Sequence, residues 1–326
     1  MILLKKMKAA VIHKFGDTPK YQDFPDPIAG QGEKLIEVKA SALENLDKML
    51  AAGTHYASRQ MLPEFPVIVG HGGIGTTEDG QLVGFGKMHF PYGSFAEKTI
   101  AGYIMPISSE IDPALAAALP ASVLTSYLPL KYSAKFESGE TLLINGATGF
   151  SGRIAIQLAK MLGAGRVVGT GRNETSWQTL KNLGADAFID LKQSDEKILK
   201  NIQKEAGENG YDVVIDFIWG HPAELIMKSI IPSEIGLPKK RIRYVHVGEK
   251  AGSFISLSGE MLRTSGLEIY GAANISREEL SESVKLVWDW IKENKFQADI
   301  EQVPLADIEK AWMRNDLDGK RIVIVP

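Results

Sequence analysis

The 326-residue chain has no cysteine. Disulfides, thiolate nucleophiles and cysteine-ligated zinc sites are thereby excluded, and the expected location is the cytoplasm. Neither sign of charge dominates: 37 Lys and Arg against 40 Asp and Glu leave a formal net charge of −3. With the cations spread along the chain there is no electrostatic footprint for nucleic acid and no polybasic membrane patch. No apolar run is read as reaching membrane-spanning length, so no membrane partner is expected. The opening Met-Ile-Leu-Leu-Lys-Lys is too short for the apolar region of a signal peptide. Internal repeats, low-complexity tracts and a disordered tail are also missing. What remains is 44% hydrophobic and 24% charged residues, an ordinary globular composition in a chain long enough for two domains.

The most informative stretch runs from Thr141 to Asn173. Thr141-Leu-Leu-Ile-Asn145 is a short apolar run that predicts a buried parallel strand. It is followed by Gly146, Ala147, Thr148, Gly149, Phe150, Ser151 and Gly152, with glycine at every third position. Such glycines allow a tight turn and a close backbone approach to a pyrophosphate. Ile154, Leu158, Met161 and Leu162 then keep the spacing of one apolar helix face. The free N–H groups at the start of that helix would face the turn, where an anion is stabilised. The spacing is not the strict G-x-G-x-x-G fingerprint, and a plain glycine-rich βαβ turn is the competing reading.

A second strand, Arg166 to Gly169, leads to the tip Thr170, Gly171, Arg172 and Asn173. An acid at this place accepts from a ribose 2′-hydroxyl, whereas a guanidinium suits a 2′-phosphate. Arg172 therefore points to NADPH, the alternative being a merely solvated arginine. Gly248 ends a further strand, Arg241 to Val247, and offers another backbone approach to the cofactor. Helices and strands go on alternating through residue 270, which predicts a doubly wound parallel sheet of about six strands with ligands at the carboxyl ends.

Before residue 112 the chain reads as β-rich, with strands at Lys8–His13 and Leu35–Lys39, a short helix from Leu46 to Ala52, and the strands Val67–Val69 and Gln81–Phe85. Gly70, Gly72 and Gly75 formally match the dinucleotide fingerprint. A turn signal follows instead of a helix, so the glycines are expected to pass the backbone through a crowded corner. Tyr127 and Lys131 match the Y-x-x-x-K spacing of short-chain dehydrogenases, but they lie before the glycine turn and Pro129 interrupts the helix that would align them. Asp112-Pro113 reads as a helix start, Ser276 to Glu279 as a capping box, and Arg321–Val325 as a strand returning to the first domain.

The order of these pieces resembles the medium-chain dehydrogenase/reductase superfamily, in its zinc-free quinone-oxidoreductase branch. The resemblance rests on Met7-Lys-Ala-Ala-Val, Gly70-His71, Gly93 to Glu97, Leu124 to Tyr127, Gly146 to Gly152, Leu183 to Asp186, Asp212 to Asp216 with Gly220, and Gly319 to Val323. It implies an α/β chain: a GroES-like β-rich catalytic domain from residues 1–115 and 273–326, and a Rossmann domain of residues 116–272 binding NADPH. A small-molecule substrate, a cleft between the domains and a homodimer are implied with it. Thr125 matches a threonine that relatives keep near the nicotinamide; its competing role is an ordinary helix-interior hydroxyl.

The implied activity is hydride transfer from NADPH to a quinone or an α,β-unsaturated carbonyl without a metal. Asn45 and Tyr56 are the candidates to stabilise the developing oxyanion, because both can donate. Equally open are roles for Asn45 as a helix cap and for Tyr56 in packing. Zinc-dependent relatives carry a cysteine where Glu44 stands and a glutamate where Gly72 stands. A zinc-assisted alcohol dehydrogenase using Glu44 and His71 is thus one alternative, and a non-catalytic NADPH-binding redox sensor is another.

Overall fold

A computed structural model of the chain describes residues 5–231, 240–271 and 275–326. The expected joint at 272/273 and most of the loop from Pro232 to Lys240 lie outside the described residues. The chain divides into two compact units, Met1–Pro120 with Trp290–Pro326, and Ala121–Asp289. The first boundary falls at Pro120, inside the helix α3 named below. The second falls inside the helix Arg277–Lys292, whose Ser283 is buried and hydrogen-bonds Tyr132 at 3.2 Å within the second unit.

In the first unit the elements run β1 (Lys6–Ile12), β2 (Lys20–Pro25), β3 (Lys34–Ala42), α1 (Asn45–Ala52), α2 (Ser58–Met61), β4 (Val67–Ile68), β5 (Gly72–Thr77), β6 (Leu82–Met88) and β7 (Lys98–Pro106). Helix α3 (Pro113–Leu128) follows, started by Asp112, whose Oδ1 accepts from Ala114 and Leu115 N–H at 3.0 Å each. Among the described residues β3 pairs with β5 and β7, and β5–β6–β7 complete the ring. Closure leaves no free edge on these strands. Such tightness explains the glycines of β5: a Cβ on Gly73 would lie 2.6 Å from Ala40 O, and one on Gly75 2.4 Å from Ile36 Cγ2. The crowded corner is real, and β5 runs through it as a strand instead of a turn.

The second unit holds β8 (Thr141–Asn145), α4 (Phe150–Met161), β9 (Arg166–Gly171), α5 (Trp177–Asn182), β10 (Ala187–Asp190), α6 (Asp195–Ala206), β11 (Val213–Asp216), α7 (Gly220–Ser229), β12 (Ile242–His246), α8 (Gly259–Thr264), β13 (Leu267–Tyr270) and α9 (Arg277–Lys292). The described strands form one sheet in the order β10-β9-β8-β11-β12-β13, every neighbouring pair parallel. Leu142, Leu143, Ile144, Val213, Val214 and Ile215 are all 0% exposed. Helices on both faces require this, and it is why these strands read as continuous apolar runs. Burial of each such side chain contributes roughly 1.5–3 kcal/mol. The predicted capping box also forms: Ser276 N–H donates to Glu279 Oε2 at 2.7 Å and Glu279 N–H to Ser276 Oγ at 3.1 Å.

The chain ends in the first unit with β14 (Ile300–Pro304), α10 (Ile308–Met313) and β15 (Arg321–Val325). Strand β15 pairs with β3 through Val323–Ala42 and Ile324–Ser41, which carries out the expected return.

One expectation is corrected. Pro113–Ser133 is a continuous 21-residue helical run, long and apolar enough to cross a membrane by length and composition alone. Pro113 begins this run, Pro120 lies inside α3, and Pro129, which reads as an interruption in the sequence, opens a π-helical turn that continues it. The structure buries 56% of its most apolar window inside the protein.

Candidate functional site

Two polar constructions stand out, one in each unit. That of the second unit lies at the carboxyl ends of the parallel strands, where a doubly wound sheet receives ligands. Gly146 turns the chain after β8 with φ 91°, and a Cβ there would lie 2.7 Å from Ile218 Cγ2. Gly152 sits so close beneath the turn that a Cβ would fall 2.4 Å from Gly146 O. Gly149 differs: a Cβ would meet only Gly146 O at 3.6 Å, an ordinary contact. Its place is at the N-cap of α4, where no side chain caps the helix. A helix start of this kind favours a bound anion through its amides and dipole.

The tip of β9 closes on this turn. Ala147 N–H donates to Thr170 O at 2.7 Å, and Gly146 N–H to Thr170 Oγ1 at 3.2 Å. Gly171 lies against Thr148, so that a Cβ would be 2.4 Å from Thr148 Cγ2. Arg172 is exposed and has no ion pair among the described residues. Asn173 Oδ1 accepts from Thr175 Oγ1 at 2.6 Å and begins a short 3-10 turn. Gly248 follows β12; its N–H donates to Asp216 O at 3.1 Å, and a Cβ would lie 2.6 Å from Phe217 O.

Not every candidate faces outward. Thr170 and Ala147 are 0% exposed and Phe150 is buried. Their side chains shape the turn from below and are not surfaces for a ligand. Ser151 Oγ lies 3.0 Å from Ser122 Oγ, which ties α4 to α3. Thr125 Oγ1 donates to Ser122 O at 3.3 Å within α3.

Beneath the turn runs a buried polar chain. Thr170 Oγ1 donates to Asn145 Oδ1 at 2.7 Å, Asn145 Nδ2 to Asp216 Oδ1 at 2.9 Å, and Tyr244 OH to Asp216 Oδ2 at 2.5 Å. It links the ends of β9, β8, β11 and β12. Burial pushes the Asp216 carboxyl up, opposed by these hydrogen bonds; burial and the Asp216 charge push the Tyr244 phenol up as well. Arg153, buried in α4, donates to Thr148 O and Ser176 Oγ, each at 3.3 Å, and places positive charge under the turn. Asn145 and Arg153 each interrupt an apolar pattern, the one signal that could have marked them in advance.

The construction in the first unit is a charge cluster. Glu44 is the N-cap of α1, so Asn45 is the first helical residue and not the cap. Glu44 N–H donates to Asp47 Oδ2 at 2.8 Å. His71, just before β5, faces Asp47 Oδ1 with Nδ1 at 2.6 Å and Glu44 Oε2 with Nε2 at 3.4 Å. Arg321 Nη1 lies 3.6 Å from Glu44 Oε1. The Asp47 charge, against the penalty of burial, pushes the His71 imidazole up to about 11. Burial raises Glu44, but His71 and Arg321 outweigh it and hold that carboxyl below its usual value. Asn45 is exposed, and Tyr56 is 95% exposed with its ring tilted against His55 at 4.1 Å.

Residues 152–289 match the model of the zinc-binding dehydrogenase family. The NAD-dependent alcohol dehydrogenase of Sulfolobus acidocaldarius is 23% identical over 318 residues, covering 86% of this chain and 88% of the relative. The quinone oxidoreductase of Sus scrofa is 27% identical over 293 residues, covering 85% of this chain and 84% of that one. A mycobacterial protein solved in complex with NADPH superposes with a TM-score of 0.81 at 22% identity, covering 98% of this chain and all of that one (100%). By these likenesses the chain is similar to the medium-chain dehydrogenase/reductase superfamily, in its quinone-oxidoreductase-like branch.

It has the two-domain α/β fold of that solved structure, and binding of a nicotinamide cofactor is supported. The residues of the second unit fit such a dinucleotide: an uncapped helix start, a turn that excludes Cβ atoms, and an exposed guanidinium beside it. A zinc ion fits the first unit poorly. Zinc needs a neutral imidazole with a free nitrogen, whereas both His71 nitrogens face carboxylates and the ring holds its proton. Among the described residues no group of three or more His, Cys, Asp or Glu is arranged to hold a metal ion.

Proposed function

We propose that this oxidoreductase uses NADPH to reduce a quinone or an α,β-unsaturated carbonyl, without a metal. The observation that carries the cofactor choice is Arg172, exposed, unengaged by any described carboxylate and next to Gly171, whose backbone packs on the glycine turn. A guanidinium there holds a 2′-phosphate through charge-assisted hydrogen bonds, which a ribose hydroxyl cannot match. The bound cofactor supplies the hydride. The α4 amides bind its diphosphate, Gly146 and Gly152 let the backbone approach, and the Thr170–Asn145–Asp216–Tyr244 chain holds the turn rigid.

The metal-free reading rests on His71, whose place between Glu44 and Asp47 suits a cation and not a ligand. The name of the Sulfolobus relative supports a second reading, NAD-dependent oxidation of an alcohol. Following absorbance at 340 nm separates the two. NADPH oxidation with quinones, enones or alkenals supports the proposal, whereas NAD reduction by alcohols together with stoichiometric zinc in the purified protein refutes it. The branch resemblance extends the proposal to a homodimer in the cytoplasm, and sedimentation equilibrium reads the oligomeric state.

A further inference from the structure

Three residues past the end of β11, Trp219 has φ 54° and ψ −153°. That corner of backbone space is essentially reserved for glycine, and residues forced into it cluster at ligand clamps and active sites. Several contacts hold it there. Asp216 Oδ1 accepts the N–H groups of Ile218 and Trp219 at 2.8 and 2.9 Å. Ala251 N–H donates to Ile218 O at 2.6 Å. Gly220, at φ 61°, allows no retreat, because a Cβ on it would lie 2.7 Å from Ala251 O. Glycine would meet the backbone demand of position 219 at no cost, yet the chain keeps an indole.

The indole lies at the carboxyl ends of β11 and β12. Its ring meets His246, the last residue of β12, with centroids 4.6 Å apart and planes at 75°. Tyr244 lies behind it at 6.1 Å. Neither Trp219 nor His246 is fully buried. The preceding Ile218 side chain occupies the space that a Cβ on Gly146 would enter, so this segment abuts the glycine turn.

The sheet order reverses between β8 and β11. In such sheets a dinucleotide straddles the reversal, one mononucleotide half on each side. With the diphosphate at the turn and Arg172 on the β9 side, the β11–β12 side is left for the other half.

We infer that Trp219, braced by His246, is a binding contact for the nicotinamide riboside half of the cofactor. The inference rests on the dinucleotide reading above. It explains why a strained aromatic is kept at a glycine position: a flat face at the ends of β11 and β12 suits a planar ring, and aromatic contacts of this kind favour offset or edge-on approach.

The test is equilibrium binding of two probes to the full chain, NADPH and 2′,5′-ADP, the second filling only the adenosine side. In Trp219→Gly, NADPH should weaken roughly tenfold while 2′,5′-ADP stays within about twofold of wild type. His246→Leu leaves the backbone at 219 alone and should weaken NADPH in the same direction by about threefold; it keeps the inference testable if the glycine variant folds poorly. Unchanged NADPH affinity in both variants would overturn the inference. So would equal weakening of both probes, which would make Trp219 a support of the turn. Wild-type protein that binds neither probe would remove the dinucleotide reading itself, a result distinct from either of these.

Discussion

Asp47 and His71 are joined at 2.6 Å between Oδ1 and Nδ1, and the Asp47 side chain is only 1% exposed. A carboxylate so enclosed depends on its cation. Removing one partner of a buried pair commonly costs about 3–5 kcal/mol, because the other charge is left uncompensated. His71→Gln keeps a donor but loses the charge, and should lower the denaturant midpoint accordingly.

The same pair sets a pH dependence. His71 is raised from 6.5 to about 11, so the folded state binds a proton that the unfolded state releases. Its contribution is complete below pH 6.5 and fades as pH rises towards 11. Glu44 is shifted down from 4.5, and its contribution is lost as pH falls below that value. Between pH 7 and 10 wild-type stability should therefore decline relative to His71→Gln, by at most about 1.4 kcal/mol per pH unit. Parallel unfolding curves for the two proteins across that range would show that His71 is not held protonated.

Gly152 has no room for a methyl group, with Gly146 O 2.4 Å from the position of its Cβ. Gly152→Ala must push α4 away from β8. Strain of this kind costs typically about 1–3 kcal/mol, and the displaced first turn should also weaken dinucleotide binding. Gly149→Ala meets only open space and an ordinary contact, so its melting temperature should stay close to wild type. Comparing the two by thermal melting and NADPH titration checks the steric account of the turn.

Much of this was legible in the sequence. The central parallel strands β8 and β11 are buried on both faces, and continuous apolar runs such as Leu142 to Ile144 announce that without reference to the rest of the chain. The capping box of Ser276 and Glu279 is equally local. The first unit was harder to read, because β2, β7 and β14 each end in proline and β5 is half glycine. Those residues signal loops unless ring closure is known beforehand. The candidate site divides in the same way: the turn and Arg172 follow from neighbouring residues, whereas the Asn145–Asp216–Tyr244 chain joins positions 71 and 28 residues apart. The enclosure of His71 by two carboxylates likewise depends on long-range folding that periodicity does not encode.

Tyr244→Phe tests that buried chain. It removes the hydrogen bond to Asp216 Oδ2 and leaves a buried carboxylate oxygen with one partner fewer, at a cost of about 1–3 kcal/mol. Unfolding free energy from urea titration should fall by that amount. A neutral result would show that Asp216 is satisfied by Asn145 and the Ile218 and Trp219 amides alone.

The most direct measurement is calorimetric titration of NADPH and NADH into wild type and Arg172→Ala. The account predicts one NADPH per chain, bound at least tenfold more tightly than NADH, as follows from a charge-assisted bond of about 1.5–3 kcal/mol. In Arg172→Ala that preference should collapse while NADH affinity is unchanged. Equal affinities in the wild type, or a preference that survives the substitution, would contradict it.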